Sequence, residues 1–317
     1  MSLVKTNSVG HIATAGDWLW ENLQFLRMRL QGLQGRGDDM AELMAELDGY
    51  RTAYESLSGW LFRDAAIFEV GYGARPLRLL ALTSLGLNAR GIDLDAPLLS
   101  GSVPELLRVL RTNGWQRFIK STVRAKVFDA HERRALDRAL AQRGARLRIQ
   151  PERFLVGDIA TASLAPSSVD FFCSEDVFEH IPRDALDAVC ASMARALTPD
   201  GVALIAPAVF TGIGGGHLVE WYAHTLGSGM ERRSEPWEHL RQRRFQADCF
   251  LNEMRLADYQ HLFERHFRVE AVHNLQAGHG AAFLTEDVIE ELDDYSEEEL
   301  LGDKWRFVLR KKPENGP

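Results

Sequence analysis

The segment Glu69-Val70-Gly71-Tyr72-Gly73 joins a carboxylate to a Gly-x-Gly turn at the end of an apolar run. Glycines at a strand-to-helix turn let the backbone approach a ligand at the strand's carboxyl end, and the next helix aims its first amides at it. Twenty residues past Gly73 stands Asp93, within Gly91-Ile92-Asp93-Leu94-Asp95. An acid at that spacing accepts hydrogen bonds from ribose hydroxyls. The third glycine of a dinucleotide fingerprint would fall on Pro76, and the phosphate loop G-x-x-x-x-G-K-[ST] is absent. Pro76 therefore disfavours a nicotinamide dehydrogenase. The chemistry that remains is recognition of ribose and adenine without phosphate.

Three later segments agree with such a ligand. Gly157-Asp158-Ile159 can present a carboxylate to an adenine amino group. Val169 to Pro182 is an apolar run that ends in a polar edge, Ser174-Glu175-Asp176, and Leu197-Thr198-Pro199-Asp200-Gly201 leads into another run. With these motifs in this order, the sequence resembles the class I S-adenosylmethionine-dependent methyltransferases from Ala65 to His273, outside an insertion. The resemblance implies S-adenosylmethionine as cofactor. It sets Glu69, Gly71, Tyr72 and Gly73 against the methionine portion and ribose, and Asp93 on the ribose with Leu94 beside the adenine. Asp158 and Ile159 become adenine contacts, and Ser174 sits on the sulfonium side. Ala74 and Arg75 depart from the family's small residues; Arg75 either pairs with an acid or faces the cofactor carboxylate. Two strings, Pro236-Trp237-x-x-Leu240-Arg241 and Asn252-x-x-Arg255-x-x-Asp258-Tyr259, resemble a bacterial branch associated with sugar or surface-polysaccharide modification.

Methyl transfer from a sulfonium depends largely on positioning, and a hydroxyl acceptor also needs a base, a role that suits histidine near neutral pH. His217, just past Gly212, Gly214, Gly215 and Gly216 in what reads as a mobile loop, is the leading candidate for that base. His180 is the second, with a capping and packing role beside Glu179 as its plainer reading; His224 and His239 follow. Asp176, Glu179, His180 and His217 form an alternative metal set of oxygen and imidazole donors, although no metal is expected. Trp221, Tyr222, Trp237 and Phe245 offer stacking faces, with core packing as their default. Arg232, Arg233, Arg241, Arg243 and Arg244 read as a solvated face or as a site for an acidic acceptor.

These residues need a scaffold that brings strand ends together. Short apolar runs predict strands at Ala65–Val70, Ala89–Leu94, Phe154–Val156, Val169–Cys173, Val202–Ala206, Phe267–His273 and Trp305–Leu309, each buried on both faces. Helical spacing separates most of them, clearest at Leu186, Val189, Cys190, Met193 and Leu197, and this helix ends at the turn Thr198-Pro199-Asp200-Gly201. Alternating strand and helix means an α/β, doubly wound, Rossmann-like fold. The resemblance makes it a seven-stranded, mostly parallel sheet in the order 3-2-1-4-5-7-6 with the last strand antiparallel. The expected organisation is an N-terminal helical cap over 1–62 and a methyltransferase domain over 63–317. Within the latter, 96–151 is a helical insertion and 210–252 a substrate-side loop, since both exceed what connections require. In the cap, Leu19, Leu23, Leu26 and Leu30 keep helical steps, Asp38 and Asp39 cap a second helix, and Trp18 and Trp20 read as core. The acidic stretch Glu286–Glu299 reads as a solvated face.

Composition bounds the partners. The 37 Lys and Arg against 45 Asp and Glu give a net charge of −8, which argues against a broad nucleic-acid footprint. The longest core-like apolar stretch, Val202 to Phe210, is far short of a membrane span. With no basic-then-apolar leader in the sequence, a cytoplasmic location is expected. Cys173, Cys190 and Cys249 read as buried thiols outside any disulfide. The expected partners are a small-molecule or glycan acceptor and a second copy of the chain through the N-terminal helices. A cofactor-binding scaffold without catalysis is the competing functional class, disfavoured by the full set of Gly71, Gly73, Asp93 and Asp158.

Overall fold

In the computed structural model, the described residues are 36–99, 101–124, 130–227, 230–245, 247 and 249–313. The expected helix of Leu19 to Leu30, and Trp18 and Trp20, lie outside them. Seven strands form one sheet: β1 (Ile67–Val70), β2 (Ala89–Asp93), β3 (Phe154–Val156), β4 (Val169–Glu175), β5 (Leu197–Ala206), β6 (Phe267–Asn274) and β7 (Trp305–Lys311). Their order is β3-β2-β1-β4-β5-β7-β6. The first five run parallel, and β7 is antiparallel to both β5 and β6. The fold class and strand order expected from the sequence are those observed.

Strand alternation sorts the apolar side chains onto two faces. Ile67, Phe171, Cys173, Val202 and Leu204 join one core with α1 (Arg36–Ser58), α2 (Leu77–Ser84) and α4 (Ala130–Gln142). Phe68, Val70, Phe172, Ala203 and Ile205 join the other with α5 (Arg183–Ala196) and α6 (Leu256–His266). In α5 the buried positions Leu186, Val189, Cys190 and Met193 form the one apolar stripe its sequence spacing requires. Glu69 stands on the α1 face of β1, and Arg78 of α2 bonds both Glu69 (2.9 Å) and Glu46 of α1 (2.6 Å).

One boundary differs from its sequence expectation. Thr198-Pro199-Asp200-Gly201 lies within the bounds of β5, where pairing with β4 jumps from Val169↔Leu197 to Phe171↔Val202. The turn residues are extruded as an irregularity, and pairing resumes on either side of them. Between β2 and β3 the chain is helical: α3 (Val103–Arg124), kinked at Gly114 (φ 77°), precedes α4. A third cluster gathers Ile213, Leu218, Trp221 and Trp237 from the segment after β5. It closes against Val288 of α7 (Glu286–Glu291), Leu292, and Leu300 of α8 (Glu297–Leu300). The acidic stretch is thus half of a small core, its carboxylates drawn to arginines: Arg241 pairs with Glu291 and Arg255 with Glu299.

Candidate functional site

Gly71 and Gly73 both adopt left-handed φ (76° and 66°), a region that costs a side-chain-bearing residue about 1–2 kcal/mol. That conformation turns the Gly73 amide onto Asp93, whose Oδ2 accepts it at 2.8 Å while Oδ1 accepts the Asp95 amide at 2.9 Å. Both carboxylate oxygens thus hold backbone amides, which fixes the orientation of the Asp93 side chain at the end of β2. Beside it, Leu94 is 68% exposed, an apolar face at the strand's end. Asp158 lies at the neighbouring strand end, exposed, its Oδ1 accepting the Ala160 amide at 2.8 Å, and Ile159 is buried beneath it.

Below the turn lies a cavity of about 260 Å³ lined by Glu69, Tyr72, Arg75, Arg78 and Glu132 among others. Glu69 is buried, and its Oε2 has no hydrogen-bond partner among the described residues. Burial raises its pKa, against the opposing pull of Arg78. An orphaned buried carboxylate oxygen beside a cavity is a place for an ammonium group. Arg75 takes the first of its two expected roles, bonding Glu132 of α4 at 2.9 Å. The Tyr72 hydroxyl donates to the Leu155 carbonyl (2.8 Å), and its ring packs edge-on against Phe154. Ser174 is buried and donates to the Val70 carbonyl at 2.8 Å, tying β4 to β1.

Across the crevice, the turn after β4 and the segment after β5 bring two histidines together. His180 lies in a single turn, Phe178–His180, ahead of α5, and the ring centroids of His180 and His217 are 5.0 Å apart, nearly perpendicular. Burial, and then the neighbouring His180, lower His217 to about 4. Cys249 is exposed, with its Sγ 3.8 Å from His217 Nδ1. This corrects the expectation of three buried thiols: Cys249 falls in an irregular stretch beside exposed Phe250, where no strand or helix carries it into a core. The oxygen donors of the sequence-derived metal set do not join the histidines. Asp176 pairs with Lys304 (2.7 Å), while Glu179 is buried, has no side-chain hydrogen-bond partner among the described residues, and is held well above the carboxylate range by burial and then by Asp176.

The glycine-rich segment is not built as a mobile loop. Gly212, Gly214, Gly215 and Gly216 are all buried. Gly214 donates to Asp303 Oδ1 at 2.9 Å, and His279 Nδ1 bonds the other Asp303 oxygen. Trp221 donates to Ser234 (2.8 Å) and Trp237 to the Leu300 carbonyl (3.2 Å), so both are core residues. Tyr222 stacks on exposed His224 at 5.7 Å, and its hydroxyl donates to the His217 carbonyl at 3.3 Å. His239 is buried, bonded to the Phe210 carbonyl at 2.7 Å and lowered to about 4, chiefly by burial. The arginine cluster is spent internally: Arg243 meets Glu253, Arg244 meets Glu238, Arg232 lies over Trp221 and Phe283, and Arg233 over Phe245. Sequence reasoning missed Arg78, Tyr50 and Lys304. Tyr50 of α1 donates to buried Glu175 at 2.8 Å, and Lys304 and Arg306 of the β7 end pair with the same carboxylate.

Residues 126–205 match the family model described as a methyltransferase domain. No curated protein matches the chain. Among solved structures, the chain is similar to an S-adenosylmethionine-dependent methyltransferase of Methanosarcina mazei, with 13% identity over 81% of this chain and 96% of that one (TM-score 0.44). It is similar to geranyl diphosphate C-methyltransferase of Streptomyces coelicolor A3(2), with 10% identity over 84% and 76% (TM-score 0.41). It is also similar to phosphoethanolamine N-methyltransferase 2 of Haemonchus contortus, with 16% identity over 84% and 53% (TM-score 0.42). On this match and the strand order, residues 126–205 lie in a methyltransferase domain of Rossmann-like fold, whose cofactor is S-adenosylmethionine.

Proposed function

We propose that the protein methylates an oxygen of a small-molecule or sugar acceptor, using the crevice at the carboxyl ends of β1, β2 and β4. The observation that carries this reading is the clamp of the Gly73 amide on Asp93 at a left-handed turn, which fixes a carboxylate at the end of β2. Asp93 would take the ribose hydroxyls, Leu94 and Ile159 the two sides of the adenine, and Asp158 its amino group. Glu69 would accept the ammonium of the methionine portion. When bound, the cofactor supplies an electrophilic methyl group on a positively charged sulfur. Gly71 and Gly73 let the chain pass close to that group, while Tyr72 and Ser174 brace the turn from behind by bonding backbone carbonyls.

An oxygen acceptor is favoured by the two imidazoles at the crevice edge. His217, with its pKa at about 4, is neutral at physiological pH and able to accept a proton, though a base so weak is displaced from the optimum near the working pH. The stacked Tyr222 and His224 offer a flat face beside it, which suits a sugar ring. In calorimetry, S-adenosylhomocysteine is expected to bind, and NAD and NADP are expected not to. Asp93→Ala weakens S-adenosylhomocysteine about ten- to hundredfold, the value of one hydrogen bond to a charged group. An unchanged dissociation constant removes Asp93 from the ribose. With the acceptor in hand, His217→Ala keeps cofactor affinity within a fewfold and lowers turnover by about 10²; wild-type turnover across pH 6 to 9 would remove it as base. Tight S-adenosylhomocysteine binding with no methyl transfer to any hydroxylated acceptor would leave the scaffold reading.

A further inference from the structure

Three segments distant in the sequence converge at the outer edge of the crevice. The turn after β4 supplies His180, the end of the glycine-rich segment supplies His217, and the irregular stretch before α6 supplies Cys249. One ligand atom from each lies within 4.8 Å of the other two. We propose that His180, His217 and Cys249 form a binding site for a single zinc-class divalent cation.

The donor set selects the ion. A thiolate with two imidazoles suits zinc and its borderline-soft neighbours and does not suit magnesium or calcium, which take oxygen. Spacing agrees: tetrahedral zinc with nitrogen at 2.0–2.1 Å and sulfur at 2.3 Å sets a neighbouring nitrogen and sulfur roughly 3.6 Å apart, and His217 Nδ1 and Cys249 Sγ are 3.8 Å apart. The outer partners are also in place. His180 Nδ1 donates to the Phe250 carbonyl at 2.9 Å, which fixes the tautomer and leaves Nε2 with the lone pair a metal needs. Phe250 adjoins Cys249, so one short stretch both supplies a ligand and orients another. His217 is held on the other side: its amide donates to the Gly214 carbonyl (2.9 Å) and its carbonyl accepts from Tyr222 (3.3 Å). It also keeps left-handed φ (55°), a costly conformation for a residue with a side chain, and such conformations concentrate at functional sites. Three protein ligands at an exposed edge leave the fourth position to water or another small oxygen ligand, the pattern of open zinc sites; His217 would serve as a base only in the metal-free chain, since a coordinated imidazole keeps no lone pair for a proton.

The test uses the full chain freed of metal by a chelator. Cobalt(II) added as a spectroscopic stand-in gives the intense visible absorption of tetrahedral coordination and a thiolate charge-transfer band, saturating at one ion per chain, and zinc displaces both. Cys249→Ser abolishes the charge-transfer band, and Cys249→Ser and His180→Ala each weaken zinc at least about 100-fold, beyond the 10- to 100-fold typical of outer-shell partners. Both residues are exposed, so each variant should melt within about 2 °C of the wild type. Octahedral cobalt spectra, a missing thiolate band, or zinc affinity unchanged in both variants would overturn the site. S-adenosylhomocysteine calorimetry on the same metal-free chain tests the methyltransferase reading separately: its failure leaves the metal result standing, and the reverse holds equally.

Discussion

Two glycine-bearing turns frame the crevice, and they use glycine for opposite reasons. At Gly71 and Gly73 the backbone is left-handed; an added Cβ would meet nothing within 4 Å at Gly73, while at Gly71 it would also run into the Val177 side chain. There glycine is needed for conformation. At Gly212, Gly214, Gly215 and Gly216 no φ is positive, yet an added Cβ would meet Asp303 Oδ1 at 2.0 Å, Asp303 Oδ2 at 2.7 Å, the Phe210 carbonyl at 2.4 Å and His239 at 2.5 Å respectively. There glycine is needed for space. A first turn that holds its shape with open room at Gly73 is suited to receive a ligand; a second with its room filled at all four glycines is suited to carry His217 on a fixed base. Glycine content by itself therefore does not report mobility.

The comparison is most exposed at Gly212. Gly212→Ala pushes a methyl into the Asp303 carboxylate and its Cα (2.7 Å), and overpacking of that kind costs about 3 kcal/mol. A fall of roughly 6 °C in melting temperature is expected; a variant that melts like the wild type would mean that the segment yields as an open loop does. Gly73→Ala has no such clash and carries only the left-handed penalty of about 1–2 kcal/mol, or a loss of some 2–4 °C. It should nonetheless weaken S-adenosylhomocysteine by about tenfold, because the Gly73 amide is aimed at Asp93 by that φ. If stability falls further than binding, the first turn is a packing site like the second. The smallest effect at neutral pH concerns His239, against which Gly216 packs. Its folded pKa is about 4 against an ordinary 6.5, so below about pH 6.5 the unfolded chain takes a proton that the fold refuses. Stability is present above about 6.5 and lost as pH falls toward about 4. His239→Gln, which keeps a donor for the Phe210 carbonyl, should flatten that part of the melting-temperature profile while changing little at pH 8. A profile that keeps its slope would assign the acid sensitivity to other groups.

The strands were legible as short runs between turn signals, most plainly β1, β4 and the second half of β5, which are buried except at Asp170. Gly71, Gly73 and Asp93 were legible because their spacing follows one strand–turn–helix–strand unit. What the sequence hid depends on contacts between distant segments. The arginines of 232–244 read as a solvated face or as a site for an acidic acceptor because one of their partners, Glu291, lies 50 residues from Arg241. Gly212 to Gly216 looked mobile because Asp303 stands about ninety residues away. Cys249 has apolar neighbours, but no periodic element carries it inward, and local composition alone gives no sign of that.

The position of β7 bears on how the chain matures during synthesis. The sheet is not built outward in sequence order: its last strand enters between β5 and β6, so until Trp305–Lys311 leaves the ribosome, β6 has no partner and β5 has an open edge. The same arrival brings Lys304 and Arg306 to Glu175 and Asp303 to Gly214. A nascent chain halted before residue 303 would hold the β1–β2 turn but lack the charges that neutralise the Glu175 carboxylate and the anchor of the segment bearing His217. The Gly73–Asp93 turn is synthesised early, and the opposite wall of the crevice waits for residues 303–311. Unpaired strand edges are sticky, which makes the interval between those events the one in which a chaperone would matter most.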